Sequence, residues 1–169
     1  MIPVVIIIVV VFAVGVLFLT KSSLGTPIGI LDGIYYDMSP AELKEILCDP
    51  QNVTDNRNLS GETIYYYTVD IDGILTETSF SFQEDQTLAS VFVFASAETS
   101  VGSKEIFENW ESKLYDAYKD EKGFFCDEIF KTSDTDYEIR LGTHNGATGV
   151  HCSVSADENV VRLTCINLR

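Results

Sequence analysis

Basic and histidine side chains are scarce in this chain of 169 residues. It has 11 lysines and arginines against 26 aspartates and glutamates, which gives a formal net charge of −15. Lys21 is the only charge among the first 21 residues, so 10 basic minus 26 acidic residues leave −16 for the rest. Such a charge repels phosphate backbones and anionic headgroups, so we expect no nucleic-acid partner and no peripheral docking on a membrane.

The motifs of common metal and catalytic sites are missing as well. The 4 cysteines and 2 histidines show neither a C-x-x-C nor an H-x-x-x-H spacing. His144 and His151 share a face of a predicted hairpin but lie roughly 13 Å apart, too far for one zinc ion. The stretch GTHNGATG lacks the P-loop lysine, and there is no G-x-S-x-G nucleophile elbow. We therefore predict no metal, no cofactor and no enzymatic activity.

Polar side chains are absent from the start of the chain. Residues Ile2 to Leu19 contain no charged or strongly polar side chain, and such a run spans roughly 27 Å as a helix, close to a bilayer core. The marks of a cleavable signal peptide are missing, since no basic residue precedes the apolar run and no A-x-A-like site follows it. We predict that residues 1–21 form an uncleaved transmembrane helix, a signal anchor, with a cleaved signal as the alternative. Residues 22–31 read as a linker.

Orientation rests on two opposing signals. Lys21, the only charge to count, places the following domain in the cytoplasm. Four cysteines in a small domain favour the outside, where disulfides form. We favour a single-pass protein of the cell membrane with its C-terminal domain extracytoplasmic.

The same cysteines are the candidate disulfide residues. Three pairings are possible for four cysteines. Cys152 and Cys165 face the same side of adjacent predicted strands, and Cys126 could also reach Cys152. We expect at least one disulfide, and the alternative is four buried thiols that pack as small hydrophobes. The candidates are Cys48, Cys126, Cys152 and Cys165.

Residues 32–169 are predicted to form one acidic α+β domain of two loosely repeated units, about 32–96 and 101–169. In the first unit, Ser39, Pro40 and Glu42 form the start of a helix with a capping box, and residues 51–61 form a polar loop. Three strands follow, the first two joined by an Asp72-Gly73 hairpin turn. The third strand is expected to turn its aromatics inward. The predicted core face then carries Tyr65, Tyr67, Val69, Ile71, Ile74, Phe80, Phe82, Leu88, Phe92 and Phe94.

The opposite face of these strands is apolar at several positions. Either a helix or strand packs on it, or it is exposed and binds a partner. The candidate partner surface consists of Ile64, Tyr66, Leu75, Val91 and Val93.

The second unit begins with a longer helix, predicted over residues 103–122 with Ser103 as its cap and Gly123 at its end. Its apolar stripe is typical of a core-facing helix. Four strands follow, and Asn145-Gly146 predicts a second hairpin turn. In that register Arg140 lies opposite His151 and Ile139 opposite Cys152. The predicted core face of this hairpin is Tyr137, Ile139, Leu141, Val150, Cys152 and Val154.

The stretch DGIYYDMSPAELKEILCDP resembles the entry helix of SmpA/OmlA-like small envelope proteins, with its Gly-x-Ser-x-x-Glu-Val-x-x-x-Leu-Gly-x-Pro pattern. The following YYYTVDIDGILTETSFSFQEDQTLASVFV is similar to their aromatic strand, turn and Phe-rich strand, so the resemblance covers about residues 32–95. Cys48 stands where the family usually has glycine, and the lipid-bearing N-terminal cysteine is missing. The family's bacterial members scaffold outer-membrane assembly, a role that is not carried over to this chain because the anchor differs. The layout is also similar to β-lactamase-inhibitory proteins, and both resemblances imply binding of proteins.

Together these features predict a non-catalytic, membrane-tethered domain of a bacterial envelope that binds or scaffolds a protein partner. The alternative is a surface-displayed hydrolase or inhibitor-like domain with a carboxylate site.

Overall fold

The computed structural model describes residues 25–56, 61–129, 137–145 and 148–168. The apolar N-terminal segment, and with it the predicted transmembrane helix, lies outside these residues. Within the described ranges, no helix has the length and apolar character needed to cross a membrane.

In the described part of the chain, eight strands form one antiparallel sheet and two helices accompany it, so the fold is α+β. The helices are α1, Pro40–Leu47, and α2, Ser100–Tyr118. The strand order across the sheet is β1-β2-β3-β4-β8-β7-β6-β5. The strands are β1 Asn52–Asp55, β2 Thr63–Ile71, β3 Ile74–Phe82, β4 Leu88–Ser96, β5 Phe124–Ile129, β6 Tyr137–Asn145, β7 Thr148–Asp157 and β8 Val160–Leu168.

Each half of the domain consists of one helix followed by four strands in chain order. The two halves join where β4 pairs with β8. The first half therefore has one strand more than the sequence predicts. That strand, β1, lies in the predicted polar loop and pairs with the edge of β2. Its residues are mostly exposed, which removes the apolar alternation that marks a strand in a sequence.

The start of α1 is as predicted. The Ser39 side chain accepts a hydrogen bond from the Glu42 backbone N–H (3.3 Å), and the Glu42 carboxylate accepts one from the Ser39 backbone N–H (2.7 Å). The bond from the Ser39 backbone N–H to the Glu42 carboxylate is the main cause of a Glu42 pKa below its ordinary value, and the Ser39 and Tyr35 hydroxyls also donate to this carboxylate. The helix thus begins with two of its orphan N–H groups satisfied reciprocally.

The start of α2 differs from the prediction. Thr99 is the N-cap and accepts a hydrogen bond from the Gly102 N–H (3.2 Å). Ser103 lies one turn inside the helix, where its buried hydroxyl donates to the Ser100 carbonyl (2.9 Å) or the Glu158 carbonyl (2.6 Å). Both residues have cap-forming side chains, and the contact with Glu158 is a tertiary one that the local sequence does not reveal.

The two helices lie on one side of the sheet, here called the covered face. A single hydrophobic core fills the space between the helices and the sheet. The apolar stripe of α2 is buried there as predicted, with Trp110, Leu114 and Tyr118 fully buried. On α1, Leu43 is buried while Ile46 stays exposed.

The segment predicted as a linker belongs to this core. Ile28, Ile30 and Leu31 are buried, and the Tyr118 hydroxyl of α2 donates to the Pro27 carbonyl at 2.8 Å. Because residues 25–31 pack against α2, the linker interpretation is wrong for this part of the range. Apolar residues in the stretch PIGIL already pointed to burial.

The Asp72-Gly73 turn sets the β2–β3 register as predicted. Ile71 pairs with Ile74, Tyr67 with Thr78, and Tyr65 with Phe80. The Gly73 N–H donates to the Asp70 carboxylate at 2.6 Å, and Asp72 and Gly73 both have positive φ. A two-residue turn of this type demands that backbone conformation.

The β6–β7 hairpin is offset by two residues from the predicted register. Arg140 pairs with Ser153 and Ile139 with Val154, where the prediction had His151 and Cys152. Asn145, a turn residue in the predicted register, pairs with Thr148. The connecting residues are therefore 146–147, which lie outside the described part. An offset of two residues keeps every side chain on its face, and Ile139, Leu141, Val150, Cys152 and Val154 are all buried as predicted. The Tyr137 side chain lies outside what is described.

The β3–β4 pairing contains a bulge that the prediction lacks. Ser81 pairs with Ser90 while Phe82 pairs with Leu88, so Ala89 is one residue too many on β4. An offset of one residue turns the whole strand over. Phe92 and Phe94 therefore point away from the core that they were expected to enter.

Candidate functional site

The sheet side opposite the helices, here called the open face, is uncovered in the described structure. Strand pairing aligns its side chains in rows across the sheet. One row runs Tyr66, Ser79, Phe92, Thr164, Ser153, Arg140 and Asp127. The next row runs Ile64, Ser81, Ser90, Ile166, His151, Gly142 and Phe125.

Large apolar side chains are exposed in these rows and at neighbouring positions of the open face. Leu75 is 71% and Phe94 is 44% exposed. Exposed apolar area of this kind makes the open face a candidate interaction surface. The exposed large apolar residues of the open face are Tyr66, Leu75, Phe92, Phe94 and Ile166.

Three of the five residues in the predicted partner surface lie on the open face. Ile64, Tyr66 and Leu75 lie on the open face, with Ile64 half-buried. Val91 and Val93 do not belong to it, since both are 0% exposed in the core. The Ala89 bulge is the reason, because it exchanges the valines and the phenylalanines of β4 between the two faces. Phe92, Phe94 and Ile166 were missed, and only the register beyond the bulge would have identified the two phenylalanines.

The first groove of the open face spans β2, β3, β4 and β8 and has a volume of about 340 Å³. Its walls are Tyr66, Phe92 and Ile166, and its acidic residue is Glu62. Short side chains at Ser79, Ser81, Ala89 and Ser90 leave the space between these walls. The Ser81 hydroxyl is buried at this floor with no hydrogen-bond partner among the described residues.

The second groove lies over β5, β6, β7 and β8 and has a volume of about 400 Å³. Phe125 and His151 stand on either side of Gly142, and their rings meet at a centroid distance of 5.0 Å. A Cβ at Gly142 would collide with the Val150 carbonyl oxygen, so glycine allows the close strand approach beneath the two rings. Ile166 lines both grooves, which makes them two parts of one surface.

The charges around the second groove are largely paired. The Arg140 guanidinium contacts the Glu138 carboxylate at 3.2 Å, and the Ser153 hydroxyl donates to the same carboxylate at 3.3 Å. Arg162, the other arginine of the open face, lies 3.9 Å from the Asp157 carboxylate. The basic groups on this surface are therefore already neutralised by acids of the chain.

Acidic side chains are sparse in the lining of the two grooves. Each groove is lined by one carboxylate, Glu62 in the first and Asp127 in the second. A paired-carboxylate mechanism needs two acids about 5–9.5 Å apart across the reacting bond. Within the described residues, no group of three or more His, Cys, Asp or Glu side chains is placed to hold a metal ion.

The candidate cysteines fall into two pairs. Cys48 and Cys126 are exposed, at the end of α1 and on β5, whereas Cys152 and Cys165 are buried. Each of the four is a thiol in this structure. Cys152 and Cys165 lie directly opposite each other on β7 and β8, so the sequence was right that they face each other across adjacent strands.

No protein-family model matches this chain, and neither the curated proteins nor the solved structures include a significant match to it. The open face with its two grooves is therefore interpreted from its own residues.

Proposed function

We propose that this protein is a non-catalytic, membrane-tethered envelope domain that binds a basic protein partner through the open face of its sheet. Residues 1–21 serve as a single transmembrane helix, and the domain lies on the extracytoplasmic side. The proposal rests above all on one observation, the exposed apolar side chains that surround the two grooves.

The size of the open face suits a protein partner. Eight strands at about 4.8 Å spacing make the sheet roughly 34 Å wide, and nine-residue strands make it roughly 30 Å long. A surface on the order of 1,000 Å² matches the roughly 800 Å² that each partner contributes to a standard interface. The grooves are shallow and aromatic-walled, which suits protruding side chains of a protein better than a small ligand.

Charge complementarity gives the partner its chemistry. The whole chain carries a net charge of −15, and both arginines of the open face are paired internally. Glu62 and Asp127 line the grooves, and Glu77 adds an exposed carboxylate in the row of Phe94. A partner with lysines or arginines around an apolar centre would meet both features, and electrostatic attraction would raise its association rate.

The resemblance to SmpA/OmlA-like proteins supports an envelope role. Cys48, which stands at the usual glycine of the motif, ends α1 with φ +66°. Glycine adopts such a backbone at no steric cost, and helices often end on one. A motif glycine would thus fit the geometry at this position. The repeated plan of one helix and four strands is also the layout that resembles the β-lactamase-inhibitory proteins, and we propose that the two units are related by duplication.

The alternative, a hydrolase or inhibitor-like domain with a carboxylate site, has less support. It requires two acids facing each other in one cleft, and each groove of the open face is lined by a single carboxylate. Another cavity, of about 180 Å³, is lined by Asp32, Asp70 and Asp72, but there the Asp72 carboxylate is paired with Lys113.

A site-specific crosslinking experiment tests the binding surface. A photoreactive amino acid at position 94 in intact cells should capture a basic protein, and the same group at position 46 should not. Ile46 is the matched control because it is exposed to a similar extent but lies on α1, on the other side of the sheet. With the captured protein purified, Phe92→Ser together with Phe94→Ser should weaken binding at least tenfold, and added salt should weaken it further. Equal capture from both positions, or unchanged affinity, would exclude this surface.

The tether and its orientation need a separate test. Cys48 is an exposed thiol, so a membrane-impermeant maleimide should label it in intact cells if the domain lies outside. Labelling only after lysis would place the domain in the cytoplasm and would overturn the extracytoplasmic proposal without touching the binding surface. A Cys48→Ser and Cys126→Ser variant serves as the control, because its remaining thiols are buried.

A further inference from the structure

Two cysteines face each other inside the second half of the sheet. Cys152 on β7 pairs with Cys165 on β8. Residues directly opposite in an antiparallel pair have Cα atoms about 4.5–5.5 Å apart, within the roughly 4.4–6.8 Å that disulfides span. Both side chains point to the covered face, where they are 2% and 0% exposed. Distance and direction thus both suit a covalent link.

The strand order excludes a disulfide between Cys126 and Cys152. Cys126 on β5 lies opposite Leu141 on β6, and Leu141 lies opposite Cys152. Cys126 is therefore two strands from Cys152, roughly 9.6 Å away, beyond the reach of a disulfide. Cys48 lies in the other half of the fold, at the end of α1.

We propose that Cys152 and Cys165 form a cross-strand disulfide when the chain folds in the presence of a disulfide oxidant. One thiolate attacks the oxidant's S–S bond and forms a mixed disulfide, and the second thiolate displaces the remaining half. One S–S bond breaks and one forms, and two reduced thiols of the oxidant leave with the two protons. A small-molecule disulfide such as oxidised glutathione is sufficient.

The surroundings of the pair determine when this reaction occurs. Burial and the neighbouring Cys152 raise the pKa of the Cys165 thiol well above its usual value, which suppresses the reactive thiolate. The hydroxyls of Tyr36 and Tyr118 lie beside the pair, and burial also raises the pKa of both. Oxidant cannot reach thiols that are shielded in this way. The bond must therefore form before β7 and β8 close against the helices, and once formed it is protected from reductants.

The proposal is tested by mapping the thiols of the full-length protein. The chain is unfolded and refolded in detergent with reduced and oxidised glutathione, then alkylated in denaturant and digested with trypsin. Cleavage after Arg162 separates the two cysteines, so the bond would link peptide 141–162 to peptide 163–169. We expect this linked pair as the main product and expect it to vanish on reduction. Recovery of both peptides fully alkylated after oxidation would overturn the proposal, as would a main product linked through Cys126 or Cys48.

A stability measurement distinguishes a Cys152–Cys165 disulfide from two unlinked thiols in the core. In a Cys48→Ala and Cys126→Ala variant, reduction in denaturant before refolding should lower Tm by roughly 5–10 °C, because a closed loop of about 15 residues is released. The Cys152→Ala and Cys165→Ala variant should show no such response to reductant. An equal Tm for the oxidised and reduced first variant would show that the two thiols are ordinary core residues. Neither readout depends on membrane topology or on a partner, so failure here leaves the proposed function standing.

Discussion

The β3–β4 and β6–β7 hairpins differ in how much a wrong register matters. In β6–β7 the pairing lies two residues from the one that the Asn-Gly dipeptide predicts, and every core residue of that prediction with a described side chain is nevertheless buried. In β3–β4 a single extra residue, Ala89, exchanges the two faces of the strand. Side chains alternate with a period of two, so an even offset preserves the faces and an odd offset inverts them. The parity of the register therefore decides which side chains of β4 lie on the open face.

A contact from outside the hairpin lies next to the bulge. The Leu88 N–H donates to the Met38 carbonyl at 2.9 Å, and the Leu88 carbonyl accepts from the Asp37 N–H at 3.4 Å. The segment before α1 thus occupies the backbone groups of the first residue of β4. Leu88 pairs with Phe82 and Ser90 with Ser81, so Ala89 is the extra residue between the two pairs.

Deletion of Ala89 should have the largest effect on folding, because it removes the residue that makes the two hairpins differ. Without the extra residue, β4 would either lose its contacts with residues 37–38 or place Phe92 and Phe94 in space that fits two valines. We expect the loss of cooperative thermal unfolding and of near-UV circular dichroism. Overpacking of the core and the loss of its contacts together cost several kcal/mol in free energy of unfolding.

Two controls make that result interpretable. Ala89→Ser keeps the chain length and should behave like the parent protein. Two residues inserted between Asn145 and Thr148 leave the parity of β6–β7 intact, so they should cost about 1 kcal/mol or less in free energy of unfolding. An Ala89 deletion that unfolds like the parent would show that the bulge does not determine the faces.

Replacement of residues on the two faces of β8 gives the next largest effect. Leu163 is buried on the covered face and Ile166 is exposed on the open face of the same strand. Leu163→Ala should lower the free energy of unfolding by about 2–5 kcal/mol through lost packing and a cavity. Ile166→Ala should cost about 1 kcal/mol or less. Chemical denaturation measures both values, and equal losses would mean that the open face is packed against something in solution.

The smallest expected effect concerns α1, which covers the bulged half of the sheet. Ser39→Ala should lower the free energy of unfolding by about 1 kcal/mol through loss of the cap, seen as a Tm lower by roughly 2–4 °C. Glu45→Ala, on the exposed side of the same helix, should leave Tm nearly unchanged.

The pH dependence of the same helix start follows from Glu42. The pKa of Glu42 is lower in the folded state than in the unfolded state. Its contribution to folding stability is therefore present above the unfolded pKa and is lost as the pH falls through the lower, folded pKa. The Tm difference between the parent and Glu42→Ala should therefore be largest near neutral pH and shrink in acid. A difference that stays constant through the acidic range would contradict the capping role of the carboxylate.

Local interactions set by neighbouring residues were readable in the sequence. Ser39 and Glu42 specify the start of α1 because a capping box needs only residues three apart. Asp72-Gly73 specifies the β2–β3 register because a two-residue turn leaves one pairing. The apolar stripe of α2 and the α+β class follow from periodicity in the same way.

The tertiary structure alone decided the composition of the open face. Phe92 and Phe94 have the side chains of core residues, and Val91 and Val93 differ from them only in size and shape. Their faces depend on the β3–β4 register beyond the Ala89 bulge, which the alternation within the strand does not reveal. The same holds for residues 28–31, which pack on α2 some eighty positions later, and for the fit of Cys152 against Cys165, which depends on the β7–β8 pairing. The sequence determines the elements and their apolar residues through short-range chemistry. Only long-range contacts determine which of those residues face solvent, because a shift of one residue costs little locally and inverts a strand.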